Sequence, residues 1–237
     1  MKIKAILFDL DGTLLPMDQE VFIKAYFGAL AKKLAPHGYE PKALFEAIWK
    51  GTSAMVKNNG SRLNEEVFFD VFRSIYGDRA DTDKHLFDEF YKNDFDREVR
   101  PSCGYSPEAY PTVMAIKDMG YRVILATNPL FPSSATESRI SWAGFKTTDF
   151  ELFTTYNNSC HCKPNLDYYR DILGQIGLSG EECLMVGNDV GEDMIAEGLG
   201  MKVFLLTRDL INKQDKDISV YPHGDFSDLM AYIKTFE

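Results

Sequence analysis

The chain has 237 residues, enough for one sizeable core or for a core with a smaller insert. Hydrophobic residues make up 45% and charged residues 26%, a balance that excludes a disordered chain. The formal net charge of −10 disfavours nucleic acid and anionic membrane as partners, so any phosphate site must carry its own local positive field.

The first apolar run, residues 3–8, is too short for a signal segment and leads straight into Asp9. No later run approaches the length of a membrane span, so a soluble, cytoplasmic protein is expected. Residues 16–103 contain no strand pattern. They read as helices over 22–34, 43–56, 65–75 and 84–95, broken at Pro36-His37-Gly38, Asn58-Asn59-Gly60-Ser61 and Gly77-Asp78. Residues 100–104 read as a hinge out of this helical insert.

Four further apolar runs follow, at 122–126, 152–155, 183–186 and 202–206. They lack polar alternation, as expected of parallel strands covered on both faces. Val113 and Ile116 share one helical face before the second run. Tyr168, Tyr169, Ile172, Leu173 and Ile176 share another before the fourth. Residues 192–199 read as a helix ended by Gly200, and 225–236 as a last helix capped by Asp225 or Ser227. Strands alternating with helices give an α/β class: a doubly wound, Rossmann-like parallel sheet with an inserted all-helical domain. The expected division is residues 1–15 and 104–237 for the α/β core and 16–103 for the insert.

In an open α/β sheet, ligands bind beyond the carboxyl ends of the strands. After the first run stand Asp9-Leu10-Asp11-Gly12-Thr13, after the second Thr127-Asn128, after the third Lys163-Pro164, and after the fourth Gly187-Asn188-Asp189, with Asp193 close behind. Gathered carboxylates repel one another unless a cation intervenes, and oxygen ligands with room for waters and a phosphate suit magnesium. Lys163 supplies further positive charge. Gly12 lets backbone N–H groups approach an anion. Asp9 and Asp11 point the same way if Leu10 is extended, which allows one carboxylate to attack phosphorus and the other to move protons.

These residues resemble the haloacid dehalogenase-like hydrolase superfamily, whose four motifs stand here in order: Phe8-Asp9-Leu10-Asp11-Gly12-Thr13-Leu14, Leu125-Ala126-Thr127-Asn128, Lys163-Pro164, and Val186-Gly187-Asn188-Asp189-Val190-Gly191-Glu192-Asp193. The resemblance implies a phosphatase acting on a small phosphorylated metabolite through an aspartyl-phosphate. Asp9 would be the nucleophile and Asp11 the general acid and base. Mg2+ would take the carboxylates of Asp9 and Asp189 and the backbone carbonyl of Asp11. Thr127 and Lys163 would hold the phosphoryl group, with Asn128 beside them, while Asn188 and Asp193 would support. The helical insert resembles the family's cap. Asn188 departs from the commonest fourth motif, where an aspartate follows the glycine directly.

Other readings remain open at this stage. A phosphomutase would use the same Asp9 chemistry, and a non-catalytic phospho-ligand sensor would use the same scaffold. Carbon–halogen cleavage leaves Asp11 and Asp189 without a purpose. Asp189 and Asp193 also suit the first turn of a helix. Cys160-His161-Cys162 is too crowded for a structural zinc site, so Cys103, Cys160, Cys162 and Cys183 are expected as reduced thiols. The loop at 57–62 is either a solvated turn or a reader of the leaving group. Phe68, Phe69, Phe72 and Tyr76 read as helix core, and 129–132 as an entrance wall or a rigid turn. A monomer is expected.

Overall fold

A computed structural model describes residues 2–236, so the outermost residues of the expected domain division lie outside the described chain. Five parallel strands form one sheet: β1 (Ala5–Phe8), β2 (Arg122–Leu125), β3 (Cys183–Gly187), β4 (Lys202–Leu206) and β5 (His223–Gly224), in the order β2-β1-β3-β4-β5. Every residue of β1 is buried, as a central strand covered on both sides requires. Alternate residues serve opposite faces. Ile6 and Phe8 pack with Val113 and Ile116 of α7 (Ala109–Asp118) and with Leu229 and Ile233 of α10 (Phe226–Lys234). Ala5 and Leu7 pack with Tyr168, Tyr169 and Ile172 of α9 (Leu166–Ile176). The sheet is therefore doubly wound.

Between β1 and β2 the chain forms a helical insert: α1 (Gln19–Leu34), α2 (Pro41–Val56), α3 (Asn64–Tyr76), α4 (Arg79–Thr82), α5 (Lys84–Glu89) and α6 (Phe95–Val99). Asp18 caps α1 by accepting from the N–H groups of Glu20 and Val21, at 2.9 and 3.0 Å. Pro41 opens α2 at the position where a missing N–H costs nothing. The insert leaves and rejoins the core at one place. Met17 and Cys103 form an antiparallel bridge, and the Gly104 N–H donates to the Pro16 carbonyl at 2.8 Å. Its buried aromatics are continuous with the cluster on one sheet face. Phe95 stacks on Trp142 of α8 (Ser133–Trp142) with centroids 4.9 Å apart, and the Trp142 indole donates to Asp96 at 2.5 Å.

Three expectations need correction. Residues 152–155 make a single bridge, Leu125 to Phe153, rather than a strand. The pairing with β2 is made by the Leu125 N–H to Leu152 and the Thr154 N–H to Leu125. It stops there because the next groups bond elsewhere: the Tyr156 N–H donates to the Phe131 carbonyl, and the Thr127 carbonyl accepts the hydroxyls of Thr154 and Tyr168. The helix expected over 84–95 is two short helices joined by a π-helical turn at Phe90–Asp94. Residues 194–199 form a 3-10 helix that ends at Gly200, not an α-helix. The two-residue β5 gave no periodic signal in the sequence. No helix among the described residues is long and apolar enough to cross a membrane.

Phe95 anchors the insert to α8. Phe95→Ala should lower the free energy of unfolding by about 3–5 kcal/mol, measured in urea. A loss below about 1 kcal/mol would show that the insert is not held by this contact.

Candidate active site

The site begins where β1, β2 and β3 end. Hydrogen bonds carry the ladder past the strands: the Asp9 N–H donates to the Val186 carbonyl at 2.9 Å, and the Ala126 N–H to Phe8 at 2.7 Å. Asp9 and Thr127 therefore emerge side by side at one sheet edge, both buried. Beyond Asp9 the chain turns at once. Leu10 accepts three backbone N–H groups, from Thr13, Leu14 and Leu15. The turn requires Gly12, whose φ is +82° and whose added Cβ would stand 2.3 Å from the Asn188 side chain.

Lys163 is 1% exposed, and its ammonium sits between two carboxylates. It donates to Asp9 Oδ1 at 2.8 Å and to Asp193 Oδ1 at 2.6 Å. Burial works against its charge, but Asp193 and Asp9 outweigh burial and hold its pKa well above the ordinary lysine value. Burial pushes Asp193 up to about 7 against the pull of Lys163. The other Asp193 oxygen accepts from the Asp189 N–H at 3.0 Å. The Lys163–Pro164 peptide is cis.

Asp9 also accepts from the Thr13 hydroxyl at 3.2 Å, which lies 3.0 Å from Asn188 Oδ1. Asn188 donates in turn to the Asp209 carbonyl at 2.6 Å. Its side chain thus ties the first and fourth motif loops together, which explains an amide after Gly187. Asp189 Oδ1 accepts from the N–H groups of Gly191 and Glu192, at 2.7 and 3.0 Å, so it does take part in a local turn. Asp189 and Asp193 nevertheless both line the cavity that holds Asp9, Asp11 and Lys163. Thr127 and Asn128 line it as well. The Thr127 carbonyl is fixed by Thr154 and Tyr168, at 2.6 and 2.9 Å.

Two charged residues at the site were not singled out in the sequence. Arg139 of α8, 1% exposed, pairs with Asp11 Oδ2 and lies 4.6 Å over the Phe131 ring. Burial raises the Asp11 pKa, Arg139 opposes it, and Asp9 adds to it. Glu192 receives the Asn128 amide at 2.9 Å, and burial raises its pKa. No spacing marks Arg139 in the sequence. Glu192 stands inside the fourth motif and was overlooked beside Asp193.

Five carboxylates thus face two buried cations, Lys163 and Arg139. Two buried oxygens, Asp11 Oδ1 and Asn128 Oδ1, have no hydrogen-bond partner. Surplus negative charge with unpartnered hard oxygen fits a small divalent cation. No group of three His, Cys, Asp or Glu side chains is arranged as a metal site among the described residues. A set of two carboxylates and one backbone carbonyl needs no such group.

The loop at 57–62 does not line the cavity. Asn58 donates to Asn64 Oδ1 at 2.9 Å, and Asn64 donates to the His161 carbonyl and to Cys162 Sγ, both at 3.3 Å. The loop is therefore a mostly solvated turn, with Lys57, Asn59, Ser61 and Arg62 exposed, that Asn58 and Asn64 pin to the core away from the cavity. Phe69 and Phe72 are buried and Phe68 and Tyr76 pack against the core, as expected; Phe68 and Phe69 also line the cavity, as do Leu130, Phe131 and Pro132. The four cysteines are free thiols.

A family model described as haloacid dehalogenase-like hydrolase matches residues 3–196. The pyrophosphatase PpaX of Bacillus cereus is 24% identical over 204 residues, covering 85% of this chain and 82% of its own length. The glyceraldehyde 3-phosphate phosphatase of Methanothermobacter thermautotrophicus is 25% identical over 231 residues, covering 92% and 95%. Among solved structures, a 2-haloacid dehalogenase from Pseudomonas syringae superposes with a TM-score of 0.66 at 19% identity, over 99% of this chain and 100% of that one. That likeness is one of fold.

Lys163→Met keeps the length of the side chain but leaves Asp9 and Asp193 buried together without their cation. It should cost about 3–5 kcal/mol of stability in denaturant unfolding. An unchanged midpoint would mean that the ammonium does not hold the pair.

Proposed function

The chain belongs to the haloacid dehalogenase-like hydrolase family, and from that premise we propose that it is a magnesium-dependent phosphohydrolase of a small phosphorylated metabolite, working through an aspartyl-phosphate. The observation that carries this reading is the buried Lys163 ammonium shared by Asp9 and Asp193 at the sheet edge. A carboxylate held this way, against an ammonium and lining a cavity, is a nucleophile beside its own electrostatic stabiliser.

In the proposed reaction an Asp9 oxygen attacks phosphorus as the ester P–O bond breaks. Asp11 gives a proton to the departing alcohol oxygen. Asp11 then takes a proton from water as that water attacks the aspartyl-phosphate, which releases phosphate and restores Asp9. Lys163 and Thr127 hold the transferring oxygens throughout, and Asn128 stands beside them. Asp9, Asp189 and the Asp11 carbonyl would hold magnesium, which when bound supplies positive charge against the phosphoryl oxygens. The helical insert acts as a cap that closes the cavity from above and keeps bulk water from the reacting phosphorus. The likeness to phosphatases named for pyrophosphate and glyceraldehyde 3-phosphate supports a phosphorylated substrate.

Asp9→Asn should cut phosphate release from a metabolite panel by about 10³-fold or more while the circular dichroism stays unchanged. Chelation of magnesium should stop the wild-type enzyme, and added magnesium should restore it. Substantial turnover by Asp9→Asn would rule out the covalent route.

A further inference from the structure

The cavity above Asp9 has a volume of about 520 Å³, far more than a phosphoryl group fills. Its floor is polar and belongs to the core. Its roof comes from the insert, and there no lining residue carries a charge among the described residues. The roof is rich in aromatic side chains: Phe22, Tyr26 and Phe27 from α1, Trp49 from α2, and Phe68 and Phe69 from α3. Exposed apolar surface also gathers at this opening. Trp49 is 54% exposed, and Ile23 and Val56, both exposed, line the same cavity. Exposed apolar patches of this kind mark places where a ligand or partner sits.

Two of the cations nearby are paired, and none of the three comes from the lining that the insert supplies. Arg139 is buried against Asp11. Lys84 lies over the Phe69 ring at 4.7 Å but is paired with Glu65 at 2.8 Å. Lys213 lines the cavity from the core side, on the loop whose Ile211 bridges to Asp189. It is exposed and belongs to the core's share of the lining, so the insert itself supplies no cation.

We infer that the leaving group is an uncharged aromatic or apolar alcohol, so that the substrate is a phosphate monoester with no second acidic group. The inference rests on the phosphohydrolase reading above. A carboxylate or second phosphate in the roof would lose water without gaining a cation, and would face Asp11, Asp189 and Glu192 from below. A ring or alkyl chain would instead shed water from its own surface and from the aromatic wall. The phosphoryl end remains at Lys163, where the positive field is.

The test compares kcat/KM, with magnesium present, for 2-phenylethyl phosphate, ethyl phosphate, phosphoglycolate and pyrophosphate. The three organic esters all release an alkyl alcohol, so differences among them report the roof and not the acidity of the leaving group. The phenylethyl ester should lead each of the others by at least about tenfold. Trp49→Ala should narrow its lead over ethyl phosphate, and Thr52→Arg, which places a cation in the roof, should raise phosphoglycolate relative to the phenylethyl ester. A wild-type preference for phosphoglycolate or pyrophosphate, or equal rates for the ethyl and phenylethyl esters, overturns the inference and leaves the phosphohydrolase reading standing. No hydrolysis of any of the four would sink both.

Discussion

The structure depends on keeping one ammonium charge dry. Lys163 is enclosed by Asp9, Asp193 and the ring of Tyr168, whose centroid lies 5.9 Å from its nitrogen. A lone buried lysine would shed its proton; two carboxylates at hydrogen-bond distance keep it charged. The surrounding residue choices serve that contact. At Gly187 an added Cβ would stand 2.1 Å from an Asp193 oxygen, so any side chain there would push Asp193 off the lysine. At Gly12 the left-handed backbone turns the chain just after Asp11 and leaves room for the Asn188 amide. Asn188 and Thr13 then fix the far side of Asp9.

Topology makes the contact possible. Asp9 and Lys163 are 154 positions apart in the chain, yet β1 lies between β2 and β3, so the first, second and fourth motifs leave adjacent strands at one edge. A parallel connection from β1 to β2 must cross a face of the sheet in any case. Placing the insert in that connection, with both ends tied at Pro16 and Gly104, suspends its helices over the edge where the polar groups emerge. The same placement explains the two-toned cavity. Its floor inherits charge from strand ends, and its roof inherits apolar side chains from helices that share one hydrophobic cluster with the sheet.

The buried strands were legible in the sequence because strands covered on both faces must be apolar throughout. Residues 152–155 make only a bridge, since the groups that would extend the pairing bond to Phe131 and Tyr168, outside the run. The two-residue β5 is polar and too short to have a period. At the site, Asp9 and Asp193 could be read because they follow β1 and β3, whose ends converge by geometry, whereas Lys163 follows no strand and was legible through the motif order alone. Arg139 could not be read. It lies mid-helix, and its burial depends on Phe131 and Asp11, which the linear chain does not relate to it. The π-helical turn at Phe90–Asp94 was hidden for a similar reason: the apolar period over 84–95 runs on through it without a glycine or proline.

Arg139 also bears on how two neighbouring aspartates can hold different duties. Asp9 and Asp11 are two residues apart and line one cavity. The structure gives each its own partner: Lys163 for Asp9, Arg139 for Asp11. The partners are unequal. Lys163 is gripped again by Asp193 and Arg139 is hydrogen-bonded to Thr136 and Ala135, but one Asp11 oxygen has no partner and faces no donor. Burial and the charge of Asp9 push Asp11 towards the protonated form, while Arg139 pulls it back. A carboxyl balanced between those pressures is suited to lending and reclaiming a proton in the proposed cycle. With Arg139 replaced by an apolar side chain the restraint would vanish, and Asp11 would hold its proton too tightly to give it up in the first step.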